Sequence, residues 1–171
     1  MPRPTISDIR NNLTDFQKLY YWNIQWLRKP AFVTISDVDL NHRCISTDVP
    51  KRTGETAEVR IRGNIIPDPG IYATGGTIVL TLLETSNSPI REFIREWEEA
   101  CATKKGKFKE LSGDIRLTTS DNQENDNYEY QLLWCFLEDS ETPPLDGGTS
   151  DPMQPTITIR YTDFKRKKLR G

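Results

Sequence analysis

Histidine and cysteine are scarce in this chain. It has one histidine, His42, and three cysteines, Cys44, Cys101 and Cys135, in 171 residues. The cysteines are far apart, odd in number and without CxxC spacing, which argues against a disulfide framework and a zinc site. His42 and Cys44 lie close in sequence, as two metal ligands or a Cys/His pair would. There is no second histidine and no CxxC elsewhere to complete such a set, so a structural role is expected for both. Long apolar runs are missing too. None approaches the roughly 20 residues that span a bilayer, so no membrane anchoring is expected. The opening MPRPTISDIRNN lacks the apolar stretch of a secretory signal. GIYATGGT lacks the Gly-Lys-Ser/Thr ending of a phosphate loop, and DNQENDNYE lacks the ligand alternation and central glycine of a calcium loop. No serine-nucleophile motif stands near His42, and Glu96 and Glu99 share a helix side with bases. No catalytic residues, no cofactor, no metal and no enzyme activity are therefore expected.

What is present is charge, arranged unevenly. Charged residues make up 28% of the chain and hydrophobic residues 35%, within the range of folded domains. The formal net charge is −2. The last eight residues, FKRKKLRG, hold five bases and no acid, so residues 1–163 carry 18 bases against 25 acids, a charge of −7. The length suits one domain. Residues 1–15, polar with a weak helical spacing of Ile6, Ile9 and Leu13, are expected to form an arm. Residues 16–164 are expected to form the domain, and residues 165–171 a basic tail. The stretch Lys165 to Arg170 is expected to be solvated or to touch an acidic neighbouring subunit; nucleic-acid binding is the other reading of such a run.

Period-two alternation dominates the middle of the chain. In LYYWNIQWL, Tyr20, Trp22, Ile24 and Trp26 alternate with Tyr21, Asn23 and Gln25. Further strands are expected over 32–40, 43–49, 55–66, 77–85, 114–119, 128–137 and 156–164. In PTITIRYTDF, Ile157, Ile159 and Tyr161 alternate with Thr156, Thr158, Arg160 and Thr162, which suits one buried and one wet face. YEYQLLWCFLE differs. Tyr130, Leu132, Trp134 and Phe136 fall on one side and Leu133, Cys135 and Leu137 on the other, so both faces need cover.

One segment breaks the β pattern. In SPIREFIREWEEACATKKG, Ile90, Phe93, Ile94, Trp97 and Cys101 recur at spacings of three and four, an amphipathic helix over about 89–103. Ser88 is the expected N-cap, Pro89 suits the first helical position, and Gly106 is the expected stop, with Lys104 and Lys105 near the negative end of the dipole. The other face carries Arg91, Glu92, Arg95, Glu96 and Glu99. Arg91/Arg95 and Glu92/Glu96 are like-charge neighbours, so this face is expected not to pair with itself. It is either solvated or a ridge waiting for a complementary surface.

Taken in order, these segments resemble the tail-tube proteins of contractile-tailed, T-even-type bacteriophages. The likeness rests on KLYYWNIQWL, then LNHRCISTDVPKRTG with Cys44 and Pro50, then EVRIRGN, GTIVLTLLET, the helix with Phe93 and Trp97, YEYQLLWCFLEDSETPPLDGG and ITIRYTDF. It covers most of residues 16–164. The resemblance implies a mainly β fold, a barrel or sandwich of two antiparallel sheets with one flanking helix. It implies hexameric rings that stack into the inner tube of a contractile tail, within a virion assembled in the host cytoplasm. Its partners would be further copies of itself, the tail sheath, the tape-measure protein and phage DNA in the lumen, and baseplate and tail-terminator proteins at the ends. Glu92, Glu96 and Glu99 are expected to face the sheath. A baseplate tube-initiator or a secretion-system or injection tube shares the architecture. The reading from another class is a small-ligand barrel whose cavity is lined by Trp22, Trp26 and Trp134.

Overall fold

The computed structural model describes residues 18–103, 106–121, 123–148 and 150–169. The expected arm, Lys104, Lys105 and Arg170 lie outside these residues. Alternating sequence becomes alternating burial. In β1 (Trp22–Arg28), Ile24 and Trp26 are buried while Asn23 and Gln25 turn outward. In β8 (Thr156–Tyr161), Ile157, Ile159 and Tyr161 are buried against β5 (Gly76–Leu82), whose Ile78, Leu80 and Leu82 face the same way. The threonines of both strands lie on the opposite face.

Two expected strands and the expected tail end differently. Residues 32–40 do not form a strand. Ser36 Oγ accepts from Asp39 N–H at 3.1 Å and starts helix α1 (Asp37–Arg43), with Asp37 and Asp39 in its first turn and Arg43 in its last. That cap and charge order outweigh the weak alternation of FVTISDVDL. Strand β2 follows as Cys44–Thr47. Residues 55–66 are not one strand but a hairpin. Arg62 and Gly63 have φ of 50° and 85°, a tight turn between β3 (Gly54–Ile61) and β4 (Asn64–Tyr72). At the hairpin base a Cβ on Gly70 would lie 2.5 Å from Glu55 O, so only glycine fits there. Residues 165–168 are not a tail. The chain bends after Tyr161 and continues as β9 (Asp163–Lys168), paired with the first half of β7 (Asp126–Glu141).

Sheet order follows from β7. Its first half pairs with β6 (Gly113–Ser120) and β9, and its second half pairs with β8. The first sheet therefore runs β1-β6-β7-β9 and the second β7-β8-β5-β2, all antiparallel and joined through one long strand. The transfer happens at Trp134, which has φ 55°. The bulge there shifts the register, so Leu132 and Cys135 are buried while Trp134 points out. The expected parity that put Trp134 beside Leu132 is corrected by this one residue. A left-handed tryptophan costs roughly 1–2 kcal/mol. It is held by a hydrogen bond from its N–H to Asp114 Oδ1 at 2.9 Å, by the Arg28 guanidinium 5.2 Å above its ring, and by stacking on Phe108 at 5.9 Å. Arg28 also pairs with Asp114 at 2.8 Å and donates to Ser112 O at 2.9 Å.

Helix α2 (Pro89–Thr103) lies on this core as the stripe requires. Ile90, Phe93, Ile94 and Trp97 are buried, and Cys101 packs at the margin. Each large side chain contributes roughly 1.5–3 kcal/mol through burial. Trp26 meets Phe93 and Trp97 edge-on at 5.9 and 5.7 Å. The Trp97 indole N–H donates to Leu111 O at 2.9 Å, at the end of the short helix α3 (Phe108–Leu111). The cap, however, is not the Ser88 side chain. Ser88 has φ 57°, and its Oγ accepts from Arg91 Nη2. The buried Glu84 carboxylate instead accepts from Ile90 N–H at 3.3 Å, Arg91 N–H at 2.8 Å and Thr85 N–H at 2.9 Å. A charged acceptor at the positive end of the dipole serves better there than a hydroxyl.

Candidate functional site: the assembly surfaces

Among the described residues, the β3–β4 ribbon has almost no cover from the rest of its own chain. Every residue of β3 is exposed, and in β4 only Gly70 is less than exposed. Yet the ribbon carries Val59, Ile61, Ile65 and Ile66, which keep 43–54% of their surface in water. Val59 stands opposite Ile66, with Ile61 two residues on, so one face is an apolar strip. Arg60 opposite Ile65 and Glu58 opposite Pro67 make up the other face. A two-stranded ribbon with no buried face is marginal by itself, and a contiguous exposed strip of isoleucine and valine marks an interaction surface.

The outer faces of the sheets are polar. Across the first sheet, Gln25, Arg116, Gln131 and Lys165 form one row and Asn23, Thr118, Glu129 and Lys167 the next. Arg116 Nε donates to Gln25 Oε1 at 3.1 Å, and Arg116 approaches Glu129 at 4.0 Å. The basic run is thus displayed on an ordered strand, with Lys165 and Lys167 on this face and Arg166 beside Tyr130 on the other. Burial raises the Tyr130 phenol above its ordinary pKa.

The acidic ridge of α2 is internally connected, contrary to the expectation from its like-charge spacing. Arg95 sits between Glu92 and Glu99, donating to Glu92 Oε2 at 2.9 Å and Glu99 Oε1 at 2.6 Å. The hydrogen bond from Arg95 holds the Glu92 carboxyl below its usual range, and the same contact raises Arg95. Solvent screens both pairs, so they orient the side chains more than they stabilise the fold. Glu96 is turned inward. Its carboxylate accepts from Thr34 N–H at 3.0 Å and Thr34 Oγ1 at 3.1 Å, tying the helix to the loop before α1. Glu92 and Glu99 remain on the open surface; Glu96 is half-buried.

The three tryptophans of the ligand-barrel reading do not meet. Trp26 is buried in the core, Trp134 is outside on the bulge, and Trp22 is half-buried at the start of β1, opposite Thr119. That reading loses its cavity. His42 is exposed in the last turn of α1, and Cys44 begins β2. Burial pushes the Cys44 and Cys135 thiols up to about 12, which keeps them protonated and unreactive at neutral pH. Among the described residues, no three of His, Cys, Asp and Glu are grouped to hold a metal ion. Nor is any described helix long and apolar enough to cross a membrane.

No family model and no curated protein matches this sequence. Solved structures match it in shape. A chain of the anti-feeding prophage (AFP) baseplate, 6-fold symmetrised, superposes with a TM-score of 0.67 at 13% identity, over 93% of this chain and 100% of that one. A chain of the PVC sheath–tube complex, an extracellular contractile injection system in its extended state, gives 0.63 at 14% identity over 98% and 100%. A chain of the PVC sheath/tube terminator gives 0.67 at 13% identity over 91% and 99%. The fold is that of a tail tube. Its mainly β, antiparallel layers and flanking helix are shared along nearly the whole chain at very low identity. What the tail-tube-like fold shares is therefore architecture.

Proposed function

We propose that this protein is a tube subunit of a contractile injection apparatus. Six copies join into a ring, and rings stack into a hollow tube inside a sheath. The observation that carries this reading is the β3–β4 ribbon, whose apolar strip stays about half exposed and finds almost no cover among the described residues. Identical neighbours supply that cover without a second fold, and a closed ring removes free sheet edges. Similarity to chains within sheath–tube, baseplate and terminator assemblies supports the same reading. The polar outer sheet faces suit a water-filled lumen. The α2 ridge faces the sheath, with Glu92 and Glu99 offered to basic sheath residues and Glu96 holding the loop behind them. In a phage tail the tube would also meet a tape-measure protein and DNA in its lumen, and baseplate and terminator rings at its ends. A non-phage injection particle is the second reading, favoured by the AFP and PVC likeness.

Negative-stain microscopy of the concentrated pure protein tests the proposal. Six-lobed rings or tubes are expected, and persistent monomers at high concentration overturn it. Nucleic acid co-purifying inside sheathed particles would select the phage-tail version.

A further inference from the structure

We propose that the β3–β4 ribbon joins a second copy through its β3 edge alone, and that Pro67 and Pro69 close its β4 edge. This rests on the tube reading. The Arg62–Gly63 turn is a two-residue turn with positive φ at both positions, so the flanking pair Ile61–Asn64 is the hydrogen-bonded kind. Antiparallel pairs then alternate. Val59–Ile66 and Ala57–Asp68 are hydrogen-bonded, whereas Arg60–Ile65, Glu58–Pro67 and Thr56–Pro69 are not. Residues of the second kind aim their backbone groups away from the ribbon. The β3 edge therefore displays the N–H and C=O of Thr56, Glu58 and Arg60. The β4 edge displays Ile65, Pro67 and Pro69, of which only Ile65 has an N–H to give. Both prolines stand where the missing donor would have faced outward, the one strand position that tolerates them. The two edges are unequal, and only β3 has a full ladder to offer.

The occupant is a second copy, met at its β9 edge. Among the described residues β9 has a strand on one side only. The edge of β1 is partly taken, since Trp26 N–H donates to Asn41 Oδ1 at 2.7 Å, and β2, at the other end of the sheet, is only four residues long. Leu169 N–H donates to Asn127 O at 3.0 Å, which by the same alternation points the backbone groups of Phe164, Arg166 and Lys168 outward. Charge decides between the available edges. The run Lys165 to Lys168 repels another β9, while β3 carries Glu55 and Glu58 against one base, Arg60. Antiparallel addition with Glu58 opposite Arg166 sets no like charges opposite one another and keeps outward groups facing outward groups. The sheet then extends by the ribbon and stops at its proline edge, which limits each contact to one neighbour.

Amide hydrogen exchange on the full chain, monomeric and assembled, tests this. On assembly the amides of Thr56, Glu58, Arg60, Arg166 and Lys168 are expected to slow by about tenfold or more, and that of Ile65 to stay fast. Glu58→Pro, which leaves the ribbon's own bonds intact, is expected to abolish assembly, while Ile65→Pro assembles as the wild type does. Slowing at Ile65 without slowing in β3, or normal assembly of Glu58→Pro, overturns the edge assignment. Slowing in β3 with no change in β9 overturns the choice of partner strand. A wild-type chain that never assembles overturns the tube reading itself, whereas assembly with an unprotected β3 overturns only this proposal.

Discussion

Replacing Glu84 is the sharpest test of how the long helix is seated. Its side chain is 4% exposed and accepts three backbone N–H groups, two of them at 2.9 Å or less. Ile90 and Arg91 occupy the second and third helical positions, whose donors have no partner within the helix. Loss of a capping side chain costs about 0.5–2 kcal/mol, and loss of the charge at the dipole's positive end adds up to about 2. Glu84→Ala should therefore cost about 3 kcal/mol. At about 2–4 °C per kcal/mol for a domain of this size, Tm should fall by about 6–12 °C. Glu84→Gln keeps an acceptor and loses the charge, so it should fall by about 2–4 °C. Ser88→Ala removes only a half-buried hydroxyl that meets Arg91, and should stay within about 2 °C. Differential scanning calorimetry of the three variants decides the matter. If Ser88→Ala costs more than Glu84→Ala, the cap is the local one and the placement of Glu84 is wrong.

Other outcomes follow from the same structure. Val59→Lys with Ile66→Glu, an opposite-charge pair that leaves the ribbon's own ladder in place, should abolish rings seen by sedimentation velocity. Monomer stability should change by no more than about 0.5 kcal/mol, because neither side chain is buried within its own chain. Charge reversal at Glu92 and Glu99 should weaken co-assembly with sheath subunits in a salt-dependent way while leaving tube formation intact; adding Glu96→Lys should also loosen the loop at Thr34, read as faster exchange of the Thr34 amide. The protonated thiols predict an alkaline limit. A folded-state pKa of about 12 against an ordinary 9.0 means the folded state holds its proton more tightly, so stability is full below pH 9 and falls as pH rises towards 12. Cys135→Ala should flatten part of that slope in urea titrations run between pH 8 and 12.

Much of the fold was legible because its signals are local. The alternation of Ile157, Ile159 and Tyr161, and the stripe of Ile90, Phe93, Ile94 and Trp97, needed no knowledge of neighbours. The hairpin was missed because a two-residue turn hides inside an alternating run; Gly63 was its one marker. Helix α1 was missed although Ser36 followed by Asp37 and Asp39 is a start signal. The Glu84 cap and the Arg95 cluster were illegible for a different reason. The first depends on a side chain reaching a helix several residues later, and the second on rotamers that sequence spacing leaves open.

By itself the sequence determined that this is an antiparallel β domain clamped by one amphipathic helix. Period and residue type dictate burial over a few residues at a time. Only the tertiary structure decided that β7 passes from one sheet to the other at Trp134, that the basic run ends as a strand, and that the β3–β4 ribbon finds almost no cover among the described residues. Those are facts about which backbone edges find partners, and edge pairing is settled between segments far apart in the chain.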